Sequence, residues 1–227
     1  MRPMRVSRAA CRALVPAALI VFLAVPSFAQ EWVEYYDRGD RFLVNFPKQP
    51  QVKTVMFHTE YGLDLPSHVH YYDEGPNHFS VTVVDYNDVE KLHGERVKGC
   101  TLYPDQCTNQ GQNELRGALD YAAWNFIKRD AKVTYYAYAN SDRIEGRRVQ
   151  LTNPDKSKTF AAIYMHENRL YITEATVPGN APPPALFYQS MGFLDKDGAR
   201  IRYKTPYSNA YPAPEREPGG PNRPMGC

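Results

Sequence analysis

Polar and apolar residues alternate with a period of two through most of the chain between residues 32 and 177. Residues 78–86 show it most plainly, with Phe79, Val81, Val83 and Asp85 on one side, as expected of a strand whose two faces meet different surroundings. The same pattern predicts strands at 32–36 and 41–46, joined across Asp37-Arg38-Gly39-Asp40. Gly39 offers that turn the freedom to take a positive φ, and Pro47 ends the second strand after Phe42, Val44 and Phe46 have filled one face. Further strands are predicted at 51–60, 68–74, 132–139, 147–152, 159–166 and 170–177, with turns at 153–155 and 167–169.

The period changes at 113–128. Leu115, Leu119, Ala122 and Phe126, flanked by Ala118, Ala123 and Ile127, form one apolar stripe over four turns, and such a stripe has to lie on a sheet. A second helix is expected at 183–193, opened by Pro182 to Pro184, with Leu186, Phe187, Met191 and Leu194 as its buried side. Asp197-Gly198 then turns the chain into a last strand at 199–203, and a weaker helix is expected at 87–97, where Asp88, Val89, Leu92 and Arg96 have helical spacing. The order predicts an α+β fold, a mostly antiparallel β-sheet packed against two or three α-helices.

The two ends read differently. Arg2, Arg5, Arg8 and Arg12 precede an apolar run at 13–26, and Ser27 and Ala29 place small residues at the −3 and −1 positions of a cleavage site. Residues 1–29 are therefore expected to be a signal peptide cut after Ala29, which makes the protein periplasmic or secreted. The apolar stretch 13–29 is at the short limit of a membrane span and is interrupted by Pro16 and Pro26, so no stable span is expected after processing. Residues 205–227 contain six prolines and three glycines, a composition with little to bury, and are expected to be a disordered tail. This leaves residues 30–204 as a single domain.

Processing alters the charge. The chain has 27 Lys+Arg and 25 Asp+Glu, and removing the four leader arginines leaves 23 basic residues against 25 acidic ones. A slightly acidic mature protein has no electrostatic basis for nucleic-acid binding. Export also governs the cysteines. Cys100 and Cys107 enclose a short loop with Pro104-Asp105 at its middle, suited to a disulfide in an oxidising compartment. Redox chemistry favours the tighter C-x-x-C spacing. Cys227, the last residue, is either a free thiol or an intermolecular link. Tyr103 and Pro104, at the tip of the stapled loop, are candidate contacts for a partner.

No G-x-S-x-G, H-E-x-x-H, C-x-x-C, Walker or dinucleotide fingerprint occurs, so the sequence leans away from an enzyme and implies no cofactor. One group has metal character. His68 and His70 point to the same side of a strand, and His58 or His78 on neighbouring strands would supply a third nitrogen. The alternative is that Val69 and Tyr71 face the core and leave both histidines in solvent. Seventeen tyrosines, with pairs at Tyr35-Tyr36, Tyr71-Tyr72 and Tyr135-Tyr136, the last followed by Tyr138, suit strands and also offer amphipathic contact surface.

The segment Arg41-Phe-Leu-Val-Asn-Phe-Pro47 resembles the F-x-V-x-F-P opening of PsbP-like proteins. Leu186-Phe-Tyr-Gln-Ser-Met191 resembles their closing amphipathic helix, in which a Ser precedes the last buried residues. The resemblance spans residues 42–194 and implies that fold, together with a lineage in which non-catalytic accessory roles are common. It places no set of binding residues on this chain. The expected function is that of an exported, non-catalytic accessory or binding domain, its partner an unknown protein or cell-envelope ligand. The alternative is a metal-binding protein or metal-dependent enzyme centred on His68 and His70.

Overall fold

The computed structural model describes residues 32–101, 107–209 and 211–218. In chain order the elements are β1 (Val33–Asp37), β2 (Phe42–Phe46), β3 (Gln51–His58), β4 (Asp64–Glu74), β5 (Asn77–Asp85), α1 (Val89–Lys98) and α2 (Gly111–Ile127). They continue as β6 (Lys132–Ser141), β7 (Ile144–Thr152), β8 (Lys158–His166), β9 (Arg169–Val177), α3 (Ala185–Tyr188), β10 (Gly192–Leu194) and β11 (Arg200–Ile201). All strand ladders are antiparallel. The expected single sheet is in fact two: a seven-stranded sheet ordered β3-β4-β5-β9-β8-β7-β6, and a four-stranded sheet ordered β1-β2-β10-β11.

Alternation along the central strands explains why both faces of the large sheet are covered. Val84, Ala161, Ile163, Leu170 and Ile172 point one way and meet Ala118, Leu119, Ala122 and Phe126 of α2. Val81, Val83, Ala162, Tyr164 and Tyr171 point the other way and meet Phe42, Val44, Phe46 and Phe193 of the small sheet and Phe187 of α3. Two cores thus share the same strands. The α2 stripe lies where its periodicity requires.

The 183–193 helix is the clearest departure from the pattern. Only α3, a single turn, forms; its Leu186 is 58% exposed, while Phe187, Met191 and Leu194 are buried. Ser190 stops the helix: its Oγ donates to the Phe187 carbonyl at 2.9 Å and accepts from the Asn45 amide at 2.8 Å. The backbone beyond it then pairs with β2, Gly192 opposite Leu43 and Phe193 opposite Phe42. A longer helix would satisfy the same side chains but leave the β2 edge unpaired.

The expected disordered tail begins differently from its composition. Tyr207 is buried, its amide donating to the Arg143 carbonyl at 2.8 Å and its carbonyl accepting from the Glu145 amide at 3.1 Å. The Lys204 amide donates to the Glu215 carbonyl at 2.8 Å and the Glu217 amide to the Arg202 carbonyl at 2.7 Å. Prolines have no N–H to satisfy, so a proline-rich segment can lie on a domain when one aromatic anchors it. Residues 219–227, with Cys227, and residues 1–31, with the expected signal peptide, lie outside the described residues.

Among the described residues two buried side-chain atoms lack a hydrogen-bond partner, Arg148 Nε and the Tyr86 hydroxyl. The Tyr86 hydroxyl is enclosed without a hydrogen bond among the described residues, and burial, then the Glu114 carboxylate, push its pKa far up. Removing an unsatisfied hydroxyl leaves nothing unpaired behind. Tyr86→Phe is therefore expected to leave stability unchanged or raise it by up to about 1 kcal/mol, as urea unfolding would read; a loss of more than about 1 kcal/mol would reveal a hidden partner.

Candidate functional site

The β1–β2 turn builds the most concentrated chemistry in the molecule. Asp37 closes it by accepting the Asp40 amide on Oδ1 at 2.8 Å, a side chain standing in for a backbone turn. The positive φ falls on Arg41, at 58°, and not on Gly39. The turn is tied to the large sheet by the Tyr171 hydroxyl, which donates to the Asp40 carbonyl at 2.9 Å. The Asp40 carboxylate consequently hangs over β4.

Alternation along β4 presents the other half. Leu65 faces the helices, while Tyr72 packs toward the small sheet, and His68 and His70 share the Tyr72 side. Both reach Asp40: His70 Nε2 lies 2.7 Å from Oδ2, and His68 Nδ1 lies 2.9 Å from Oδ1. His70 is 1% exposed, not in solvent as the alternative had it, and its Nδ1 lies 3.0 Å from the Tyr35 hydroxyl. The edge of Phe42 closes on the ring at a centroid distance of 4.9 Å. His68 stays at the surface.

Burial raises the Asp40 pKa, but hydrogen bonds from His70 and His68 and their charge outweigh it, holding the carboxyl below its usual value. Burial, then the neighbouring Asp37, push the Tyr35 hydroxyl up to about 12. Asp37, Asp40, His68 and His70 border a cleft of about 530 Å³ that continues past Thr54 and Val83 to the Asp85–Arg169 pair, 3.4 Å apart.

The four-histidine set is not assembled. His58 shares the His68 side of the sheet, but β3 pairs His68 with Thr54, four residues away, about 13 Å along the strand. It hydrogen-bonds Asp64 instead, at 3.0 Å. His78 points to the opposite side from His70, whose β5 neighbour is Val81, and its partner is Asp73 at 2.5 Å. The carboxylates of Asp37 and Asp40 were not legible as site residues, because Asp-x-x-Asp around a Gly reads as turn chemistry.

Cys100 and Cys107 are joined as a disulfide, with Cα atoms 5.8 Å apart. It bridges the end of α1 to the approach of α2. Tyr103 and Pro104 lie outside the described residues.

The tyrosine pairs sort by position in the sheet. Tyr35 is buried and Tyr36 exposed, as a two-faced strand requires, but Tyr135, Tyr136 and Tyr138 are all exposed, by 45%, 47% and 58%. The cause is topological. β6 is an edge strand, covered on neither face along this stretch. Tyr136 and Tyr138 pair with Val149 and Arg147 and so take the helix side, while Tyr135 pairs with Gln150 on the other. Among the described residues, no helix is long and apolar enough to cross a membrane.

No protein-family model matches the chain, and no curated protein matches it. Among solved structures, the chain is similar to the solution structure of cyanobacterial PsbP (CyanoP) from Synechocystis sp. PCC 6803, with a TM-score of 0.41 and 10% sequence identity. The likeness covers 74% of this chain and 95% of that one.

Proposed function

We propose that this protein is an exported, non-catalytic accessory domain that binds a partner protein, and that the partner contributes an extended segment to the outer edge of β6. The observation that carries the reading is the edge itself. β6 runs for ten residues, Lys132–Ser141, with β7 on one side and no strand on the other among the described residues. Edge strands are ordinarily blunted by charge, proline, brevity or a β-bulge. This one has a bulge between Val133 and Tyr135 and a single Lys at its start, and otherwise presents three tyrosines. A strand added there would gain main-chain hydrogen bonds from the edge and side-chain contact from the rings, the composition enriched in protein interfaces.

The neighbouring surface is electrostatically quiet. Arg143 and Lys204, beside Tyr138 in a shallow groove, are paired with Glu217 and Glu215 at 3.3 and 2.6 Å. A partner of ordinary charge therefore meets no unpaired cation there. The test is site-specific photocrosslinking in the exporting cell, with a benzophenone side chain at Tyr138 and, as control, at the equally exposed Trp124 of α2. A discrete adduct from position 138 and none from 124, with the crosslinked peptide of the partner in extended register along β6, is the expected result. No adduct at 138, or equal labelling from both positions, would overturn the reading.

A further inference from the structure

We propose that the cleft beneath the β1–β2 turn is a binding site for one divalent transition-metal ion of the zinc class, held by Asp37, Asp40 and His70 with a fourth position open to the cleft. One ligand atom from each of the three residues lies within 4.8 Å of the other two. Zinc bonds of about 2.0–2.2 Å to nitrogen and oxygen set ligand atoms roughly 3.3 Å apart in a tetrahedron. Closing the set around an ion thus needs side-chain shifts of about 1 Å, with no backbone rearrangement.

The surroundings suit that ion. His70 is held on both nitrogens, by Asp40 at 2.7 Å and by the Tyr35 hydroxyl at 3.0 Å. An ion that took the place of the proton between Nε2 and Asp40 would leave the ring proton on Nδ1, donated to the Tyr35 oxygen. Tyr35 in turn donates toward Asp37 Oδ2, 3.4 Å away. This is the support a metal-bound imidazole requires: its second N–H engaged and its ring fixed. His68, hydrogen-bonded to the other Asp40 oxygen at 2.9 Å, orients that carboxylate.

Charge agrees. Two carboxylates match a divalent ion, and Arg41, next to Asp40 in sequence, is paired elsewhere, with Glu167 at 3.1 Å. A buried imidazole beside carboxylates favours zinc-class ions, whereas calcium and magnesium prefer all-oxygen sites. The set differs from the one expected from histidine spacing: it keeps only His70 as a ligand and takes its other two from the β1–β2 hairpin. It is independent of the partner edge on β6.

The test is isothermal titration of the purified protein with zinc, in a Cys11→Ser, Cys227→Ser background so that no free thiol competes. One equivalent should bind at micromolar or tighter affinity, with a rise in melting temperature. Asp37→Asn preserves the acceptor that closes the turn, and it and His70→Gln should each weaken binding at least tenfold. His58→Gln should leave it unchanged. Cobalt in place of zinc should give the visible absorption of a tetrahedral site, lost in His70→Gln even if that variant is less stable. No stoichiometric binding, zinc binding unaffected by Asp37→Asn, or tighter binding of calcium than of zinc would each overturn the proposal.

Discussion

A chain ended at Lys204 should lose about 4 kcal/mol of stability. The loss is centred on Tyr207, 5% exposed, whose ring stacks on Tyr203 at 4.9 Å with 16° between planes. Its hydroxyl accepts the Glu167 amide at 3.0 Å, so its removal also orphans a turn donor. Truncating a buried aromatic costs about 3–5 kcal/mol, most of it from lost burial and the cavity left behind. The two backbone bonds of Tyr207 to the β6–β7 turn add to this, but ordering the segment offsets much of their gain. The ion pairs beyond it, Lys204–Glu215 and Arg216–Glu167, lie at the surface and contribute little. Urea unfolding of the full and shortened chains is the measurement, with Tyr207→Ala expected to reproduce most of the deficit. A difference below about 1 kcal/mol would make the segment a passive covering.

The same tyrosine shows why composition misjudged the described part of this segment, up to residue 218. Counting Pro and Gly weighs residues that do not pack; it gives no weight to one side chain that does. Strands and the α2 helix were legible, because burial on both faces of the large sheet forces period-2 and period-3.6 patterns into the residues themselves. The split into two sheets was not. It depends on Met191 to Leu194 passing from a turn to the β2 edge, and apolar residues at those spacings serve a helix equally well. The cleft was half legible for a related reason. Spacing within β4 put His68 and His70 on one side, but Asp40 reaches them through a contact between residues 28 and 30 positions apart. No local period records a contact of that kind. Exposure of the β6 tyrosines follows from strand order, which one sequence does not display.

Acid should unfold the protein early, and His166 is a principal cause. Its ring is enclosed by Phe193, Tyr203 and Tyr207, with centroids at 5.1, 5.8 and 5.0 Å, and Nε2 lies 2.9 Å from the Tyr203 hydroxyl. Burial, then the positive charges of Arg216, Arg169 and Arg41, lower its pKa to about 3; Glu167, which pairs with Arg41 and Arg216, partly offsets those charges. Above pH 6.5 the histidine is neutral in both the folded and unfolded chain and contributes no pH dependence. Between 6.5 and 3 the unfolded chain takes a proton that the folded chain refuses, so stability falls as pH falls, by about 1.4 kcal/mol per unit. From neutrality to pH 4 this amounts to roughly 3–4 kcal/mol. Urea unfolding at pH 7 and pH 4 should show His166→Gln losing less on acidification than the parent by about that amount, the carboxylates common to both cancelling in the difference. A ring resonance of His166 that titrates near pH 6.5 in the folded protein would contradict the prediction outright. In the chain ended at Lys204 that resonance should move back toward 6.5, because Tyr207 and Arg216, part of what keeps the proton out, are gone.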